Sequence, residues 1–280
     1  MFKAPDGYSF ISSDTPQAES RTTAVASRNA VLWDAVSGDD DFHSANAAAF
    51  FGIPYEEIYD NATGKKLNKD LRELAKRVGH GANYNMRAYM LLLTMGIAAV
   101  RYVQKVMGLP PKWSATDVTK FLLKKFDERY VGLRTTWYKS QVLKVITTGR
   151  LKTLTGYAPL FLGNPLDITA DLNTIASLEP QHISAKLSID TFMRLAACEL
   201  QGLPVKCVLQ VHDEVLGYAE KGIPLTKLDE LFSRLGVNPL PTGWDKVPVL
   251  NLPVGLIVAG TTWAAVSGDP IGKNRHELTT

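Results

Sequence analysis

Near its C-terminal end the chain reads Lys206-Cys207-Val208-Leu209-Gln210-Val211-His212-Asp213-Glu214-Val215-Leu216-Gly217-Tyr218-Ala219. The apolar and β-branched residues on both sides of His212 and Asp213 predict two strands joined by a tight hairpin turn. The adjacent carboxylates of Asp213 and Glu214 repel each other at this turn, and each resists burial. A divalent cation would relieve both problems, whereas an ordinary acidic turn is the plain alternative for this stretch alone.

A second carboxylate, that of Asp14, follows another predicted strand over residues 7–13. An aspartate at a strand-to-helix junction is often only a helix N-cap. If the strand before Asp14 pairs with the hairpin, however, the carboxylates of Asp14 and Asp213 emerge at the same edge of one sheet. They would then form a two-metal site suited to phosphoryl or nucleotidyl transfer.

A third pattern places Arg72, Lys76, His80 and Tyr84 at steps of four residues. Because an α-helix turns 400° in four residues, Arg72, Lys76 and His80 share one helix face. Two cations and an imidazole spaced about 6 Å apart match the reach of a triphosphate. The glycines on both sides of His80 each cost a helix about 1 kcal/mol, which indicates a ligand close to the backbone. A solvated basic face is the plain alternative.

The rest of the chain is mainly helical by pattern. Helices are predicted over residues 18–36, 67–78, 86–107, 133–147, 172–200 (interrupted by Pro180) and 225–235, and Ser114 with Asp117 is expected to cap a further one. Residues 151–161 are expected to be extended, 238–248 to form a Pro/Gly-rich loop and 254–259 to form the last strand. This order predicts an α+β fold whose small antiparallel sheet takes strands from both ends of the chain.

Composition excludes several classes of protein. With 280 residues, 45% of them apolar, the chain is long enough for a sizeable core, and its net charge of +3 permits nucleic-acid binding without demanding it. Its two cysteines form no CxxC pair, which argues against a zinc site or a disulfide framework. No apolar run is long enough to span a bilayer, and no signal peptide is visible, so we expect a cytoplasmic protein with no membrane partner.

Three ordered motifs resemble the signature motifs of family A (bacterial polymerase I-like) DNA polymerases. They are Asp14-x-x-Gln17-x-Glu19-x-Arg21, Arg72-x-x-x-Lys76-x-x-x-His80-x-x-x-Tyr84 and Gln210-Val211-His212-Asp213-Glu214. Residues 41–48, 149–156 and 254–263 are also similar to the family, as is Pro180-Gln181 at the start of a long helix. The resemblance covers nearly the whole chain, and divergence elsewhere favours a phage-type member. It implies a palm formed by residues 1–45 and 156–280, with helical fingers over residues 46–155.

The resemblance also implies a function and site residues. The chain would be a template-directed DNA polymerase that uses two Mg²⁺ ions, primer-template DNA and dNTPs. Asp14, the Thr15 carbonyl and Asp213 would hold the metals, with Glu214 supporting them, and Lys76 would be a candidate proton donor to pyrophosphate. The nucleotide would be contacted by Arg72, Lys76, His80, Tyr84, His43 and Glu19, the last as a steric gate against ribose, and DNA by Gln181, His212 and Arg21.

The chain departs from the family pattern at several positions. His80 stands where an aromatic residue is usual, and Asn85 where glycine is usual. Asn173 and Ser177 replace the expected arginine and asparagine, and residues 157–159 replace a basic run. These changes weaken the inferred duplex contacts more than the inferred catalysis.

The family's thumb and exonuclease domains have no counterpart in this sequence. We therefore expect either a split polymerase whose other half is a separate chain or a fragment of a longer polymerase, working in the host cytoplasm if the protein is phage-encoded. Two other functions stay open: a single-subunit RNA polymerase-like enzyme, against which Glu19 counts, and a non-catalytic DNA-binding or assembly subunit.

Overall fold

The computed structural model describes residues 3–161, 172–200, 202, 205–253 and 258–260. The chain forms two compact units. The first, here the sheet unit, combines Met1–Thr22 with Pro180–Thr280, and the second, the helical unit, comprises Thr23–Glu179. These limits differ from the sequence-based division at 45/46 and 155/156, which stays a prediction about functional parts.

Helices and short strands follow one another along the chain, which confirms the predicted mixture of helices with small antiparallel sheets. In order they are β1 (Tyr8–Asp14), α1 (Ala18–Ser27), α2 (Ala30–Ser37), α3 (Phe42–Phe51), β2 (Tyr59–Asp60), β3 (Lys65–Lys66), α4 (Lys69–Asn83), α5 (Ala88–Met95), α6 (Ile97–Val106), α7 (Ala115–Arg129), α8 (Tyr138–Thr148), α9 (Leu172–Leu200), β4 (Val205–Val211), β5 (Glu214–Glu220), α10 (Leu225–Leu235), β6 (Leu240–Trp244), β7 (Val247–Leu250) and β8 (Val258–Gly260). A 3₁₀ turn spans Tyr55–Glu57 and a π-helical turn spans Leu133–Trp137.

The main sheet draws its strands from both ends of the chain, as the sequence predicts. Its described strands run antiparallel in the order β4-β5-β1-β8. Strand β1 is buried on both faces, and its side chains alternate between two clusters. Ile11 packs with residues of α9 and α10, including Leu195 and Phe232, whereas Phe10 packs with Ala4 and Leu216. The sheet edge that carries Asp14 is thus anchored by apolar contacts on both sides.

Gly217 lets β4 lie close against β5. A Cβ at this position would come within 2.5 Å of the Lys206 carbonyl oxygen, a backbone atom that no rotamer change can move. The register between these strands also shifts between Cys207 and Leu209, which leaves Val208 as an extra residue in β4. Glycine is required here by close approach of two backbones rather than by its φ angle.

The helical unit surrounds one large apolar cluster. Its fully buried side chains include Phe50 of α3, Leu71 and Val78 of α4, and Leu122 and Phe126 of α7. Helix α7 begins with the predicted capping box between Ser114 and Asp117, which is confirmed. In the described part of the chain, no helix is both long and apolar enough to cross a bilayer.

Two predicted helices are each split by a residue with a left-handed backbone. Arg28 (φ 53°) ends α1, and the Asn29 side chain then caps α2 by accepting a hydrogen bond from the Leu32 amide. Gly96 (φ 84°) separates α5 from α6. The continuous helices predicted over 18–36 and 86–107 are therefore wrong, because a residue with positive φ cannot lie inside a right-handed helix.

Three other expectations need correction. Helix α9 runs through Pro180, because the many backbone bonds on both sides outweigh the one that proline removes. The β6–β7 hairpin begins within the stretch expected to be a loop over 238–248. The sequence did not predict its strands because proline is unfavourable in the interior of a sheet. In the region expected to be extended, the described backbone forms one isolated bridge, Arg150 with Leu160. Of the predicted last strand, residues 254–257 lie outside the described residues, and β8 contains the remainder.

Substituting the two buried glycines with alanine should have opposite effects. We expect Gly217→Ala to lower the free energy of unfolding by about 1–3 kcal/mol, because the new methyl group meets backbone. In α4 a Cβ at Gly79 would meet no atom within 4 Å, so Gly79→Ala should raise stability by up to about 1 kcal/mol. Chemical denaturation of both variants measures the difference, and a neutral Gly217→Ala would contradict the role of close approach.

Candidate active site

The strand pairing places Asp14 beside the hairpin that carries Asp213. Asp14 at the end of β1 is the register partner of Glu214 at the start of β5. The Thr15 amide donates a hydrogen bond to the Asp213 carbonyl oxygen at 3.2 Å. The predicted pairing of the two strands that carry these aspartates at one sheet edge is confirmed. Asp14 is exposed, whereas Asp213 is half-buried.

The hairpin turn contains a residue in an unfavourable backbone conformation. His212 and Asp213 form a two-residue loop between the paired residues Val211 and Glu214, and His212 has φ 54°. A left-handed residue with a Cβ costs roughly 1–2 kcal/mol. The Gln210 side-chain amide donates a hydrogen bond to the His212 carbonyl oxygen and so supports the loop. Strain held in place by neighbouring residues is a common property of functional turns.

Carboxylates crowd around Asp213. Burial raises the pKa of the Asp213 carboxyl, and repulsion from Glu19 and Glu214 raises it further. The Glu214 carboxylate accepts a hydrogen bond from the Ser12 hydroxyl, which fixes its orientation. A bound cation would offset the repulsion, and Mg²⁺ binds through one or two carboxylates plus waters and phosphates. The donor set of Asp14, Asp213 and the Thr15 carbonyl therefore fits such an ion.

Protein side chains alone would not saturate a metal at this edge. Among the described residues, no group of three or more His, Cys, Asp or Glu side chains is arranged to hold a metal ion. A metal here would need oxygen ligands from the backbone, water or a bound phosphate. That requirement matches a site that binds its metal together with a nucleotide.

The other predicted residues of the sheet unit lie on α1 and α9. Glu19 is in the first turn of α1, and its charge acts on Asp213. Arg21, two residues further along α1, donates from Nε to the Pro16 carbonyl oxygen at 3.3 Å, and burial lowers the pKa of its guanidinium. Gln181 is exposed on α9 and His212 is exposed at the hairpin turn.

The helical unit carries the predicted basic helix. Helix α4 spans Lys69–Asn83, so Arg72, Lys76 and His80 do share one face, and Tyr84 forms its C-cap. The Asn68 side chain caps its N-terminus by accepting from the Leu71 amide. The helix predicted over 67–78 is confirmed and extends five residues further.

Arg72 is held by Asp41, a partner that the sequence analysis missed. Its Nε and Nη2 atoms bind the two carboxylate oxygens of Asp41 at 2.8 and 3.0 Å, which leaves Nη1 directed toward the exposed Glu73. Although burial opposes the change, hydrogen bonds from Arg72 and Ser44 lower the pKa of Asp41 to about 2. The signal was present in the sequence, since Asp41 stands at the N-cap position of α3.

His43 lies beside the same basic face. It is 8% exposed, and its ring centroid lies 5.2 Å from Phe42 and 5.9 Å from His80. Burial, followed by the positive charge of Arg72, lowers the pKa of His43 to about 3. His43 is therefore neutral at pH 7 and offers a hydrogen bond rather than a charge.

The two glycines that flank His80, Gly79 and Gly81, occur for different structural reasons. At Gly81 a Cβ would meet Met86 Sδ at 3.1 Å and Leu91 Cδ1 at 3.3 Å, so internal packing explains this glycine. At Gly79 the added atom would meet open space. The prediction that a ligand approaches the backbone is therefore wrong for Gly81, where packing explains the glycine. For Gly79 it stays a prediction.

Comparison with known proteins agrees with these motifs. The model of DNA polymerase family A matches residues 1–227. The chain belongs to this family. The suggestion of a phage-type member stays a prediction.

Bacterial relatives of this family A chain are similar along most of its length. DNA polymerase I of Pseudomonas aeruginosa is 26% identical over 277 residues, covering 94% of this chain and 25% of the relative. DNA polymerase I of Borreliella burgdorferi is 25% identical over 269 residues, covering 95% of this chain and 26% of the relative. The chain thus spans about a quarter of the length of these relatives.

A solved structure shares the fold. The POL domain of Pol1 from M. smegmatis, in complex with DNA primer-template and dNTP, superimposes with a TM-score of 0.70 at 23% identity. The match covers 95% of this chain and 42% of that one.

The neutral state of His43 should make the family A chain sensitive to acid. Unfolded His43 titrates near pH 6.5, and the folded residue near pH 3. Because the unfolded state binds the proton more tightly, stability falls as pH drops below about 6.5. Between pH 7 and 5 we expect a loss of at most about 2 kcal/mol. Chemical denaturation at each pH measures this loss of unfolding free energy. It should be smaller for His43→Gln than for the wild type, and the same as in the wild type for the control His212→Asn, which changes an exposed residue.

Proposed function

We propose that this family A chain is the catalytic part of a template-directed DNA polymerase, which adds deoxynucleotides to a primer 3′ end. The observation that carries the proposal is the pairing of β1 with β5, which brings Asp14 and Asp213 to one sheet edge. Family membership supports it, and the M. smegmatis neighbour contains primer-template DNA and dNTP in its own structure. With the palm at residues 1–45 and 156–280 and the fingers at 46–155, the sheet unit would lie within the palm and the helical unit would contain the fingers.

The sheet unit would hold the metal ions. Asp14, Asp213 and the Thr15 carbonyl are the proposed ligands, with Glu214 in support. Two Mg²⁺ ions would supply a lowered pKa for the primer 3′-hydroxyl and neutralisation of the charge that develops on the phosphates. The chain's own contribution would be to place the two aspartates at one sheet edge, which the pairing of β1 with β5 supports, while the Ser12 hydroxyl orients Glu214 beside them.

The helical unit would bind the triphosphate. Arg72 and Lys76 are the proposed charged contacts, and Asp41 restricts the Arg72 guanidinium to one orientation before any ligand arrives. Neutral His43 would donate one hydrogen bond to a phosphate oxygen, and Lys76 would return a proton to the leaving pyrophosphate. Tyr84 and His80 would contact the base and sugar, His80 with a smaller stacking face than an aromatic ring.

The remaining assignments concern selectivity and DNA. Glu19 would exclude a ribose 2′-hydroxyl, while Gln181, His212 and Arg21 would contact the primer-template. That a separate chain supplies the thumb and exonuclease stays a prediction from the sequence.

Primer extension tests the catalytic assignment. We expect Asp213→Asn to lower the extension rate by at least about 100-fold, because a neutral amide cannot bind Mg²⁺ as a carboxylate does. Asp245→Asn, an exposed carboxylate at the β6–β7 turn, is the control and should keep the full rate. The assay is run on the chain alone and with any co-encoded thumb and exonuclease polypeptide. Unchanged extension by Asp213→Asn in the complex with that polypeptide would overturn the catalytic assignment and favour the non-catalytic alternative.

The sugar selectivity of the reaction tests Glu19 separately. We expect Glu19→Ala to raise the rNTP-to-dNTP ratio of incorporation by about 10- to 200-fold, because the carboxylate no longer fills the space of a 2′-hydroxyl. Glu220→Ala, at the opposite end of β5 from Glu214, should leave the ratio unchanged. A wild-type chain that prefers rNTPs would instead support the RNA polymerase-like alternative.

A further inference from the structure

A small cavity lined by both polar and apolar residues includes Asp213 of the hairpin turn in its wall, within the sheet unit. Its volume is about 20 Å³, which is enough for one water molecule. Side chains from β1, α9 and the segment after α10 line it together with the end of the hairpin. The residues that matter here are Ser13, Thr15, Ser188, Thr191, Asp213 and Asn238.

Asn238 contributes a buried acceptor at the cavity wall. Its Nδ2 atom donates to the Leu187 carbonyl oxygen at 3.0 Å and to Thr191 Oγ1 at 2.8 Å, with a longer contact of 3.4 Å to the Gly236 carbonyl oxygen. The assignment of Nδ2 as the atom in these contacts is fixed, because a carbonyl can only accept and the Thr191 hydroxyl already donates to Leu187. Asn238 is 4% exposed, and among the described residues its Oδ1 has no hydrogen-bond partner.

Ser188 adds a second buried polar atom without a partner. The residue is 3% exposed, and its Oγ makes no hydrogen bond within the described chain. Leaving a buried hydroxyl or amide oxygen unsatisfied is unfavourable, because the group has given up its hydrogen bonds to water without replacing them. Two such atoms around one water-sized cavity are the arrangement that ordered internal water satisfies.

We propose that one buried water occupies this cavity and that Ser188 and Asn238 are positioning residues for Asp213. The water accepts a hydrogen bond from Ser188 Oγ, donates one to Asn238 Oδ1 and donates its second hydrogen to an Asp213 oxygen. The half-buried aspartate would thereby gain a hydrogen bond that limits the orientation of its carboxylate. This positioning role rests on the proposed function, in which Asp213 binds metal.

The chain provides a matched control one helical turn away. Ser184 is also on α9, is 4% exposed and has an Oγ without a partner, but it does not line the cavity. Ser188→Ala and Ser184→Ala remove the same atom from equally buried sites. A role in general packing would affect both variants alike, whereas support of Asp213 through water would affect only the first.

Metal binding to the DNA-free chain separates these outcomes. We expect Ser188→Ala to weaken Mn²⁺ binding, followed by electron paramagnetic resonance, by about tenfold, a typical effect of losing a partner behind a metal ligand. Ser184→Ala should bind Mn²⁺ as the wild type does. In primer extension, excess Mg²⁺ should restore the rate of Ser188→Ala. Equal Mn²⁺ binding by both variants would overturn the positioning role.

A high-resolution crystal structure of the unchanged chain tests the water itself. We expect one ordered water within hydrogen-bonding distance of Ser188 Oγ and Asn238 Oδ1, and a dry cavity would overturn the inference even if Ser188→Ala fails to fold. The two proposals fail separately. If Asp213→Asn is inactive but the cavity is dry, only the proposal of a buried water is overturned. If Asp213→Asn is active although the water is ordered, the proposed catalytic role is overturned instead.

Discussion

The antiparallel pairing of β1 with β5 is the constraint on which the candidate site depends. It joins residues as far apart in sequence as Ser12 and Glu214, which are 202 positions apart and share a hydrogen bond. Side chains alternate between the two faces of a strand. A shift of the pairing register by one residue would therefore turn Asp14, and all the remaining side chains of β1, to the opposite face. The apolar clusters around Phe10 and Ile11 resist such a slip, because it would move each of these side chains out of the cluster that it fits. Packing of the core therefore sets the spacing of the carboxylates.

The two units handle like charges in different ways. In the sheet unit, Asp213 has the like-charged neighbours Glu19 and Glu214, and its pKa is raised by burial and by their charges. In the helical unit, Asp41 pairs with Arg72, and burial keeps His43 neutral beside Arg72 and Lys76. The basic face is thus partly compensated, whereas Asp213 lies next to charges of its own sign. This difference would suit a site in which cations bind together with the substrate and the residues proposed to bind phosphate are already in position.

Sequence reasoning reached the parts of this molecule that have local or repeating signals. The alternation around His212 and Asp213 predicted the hairpin, and the steps of four from Arg72 predicted α4. Partners brought together by tertiary packing had no such signal. Gly81 reflects contact with Met86 and Leu91, which no local pattern encodes. Likewise, nothing near Asn238 in the sequence shows that it reaches α9.

The irregular pairing of β4 has a consequence for how the chain behaves among its own copies. In the described sheet β4 is an outer strand, and it exposes Val208 and Leu209. A flat apolar strand in that position would be a template for intermolecular β-pairing and aggregation. The extra residue between Cys207 and Leu209 interrupts the regular ladder and bends the strand. The same irregularity that accompanies the tight fit at Gly217 thus protects an open edge from self-association.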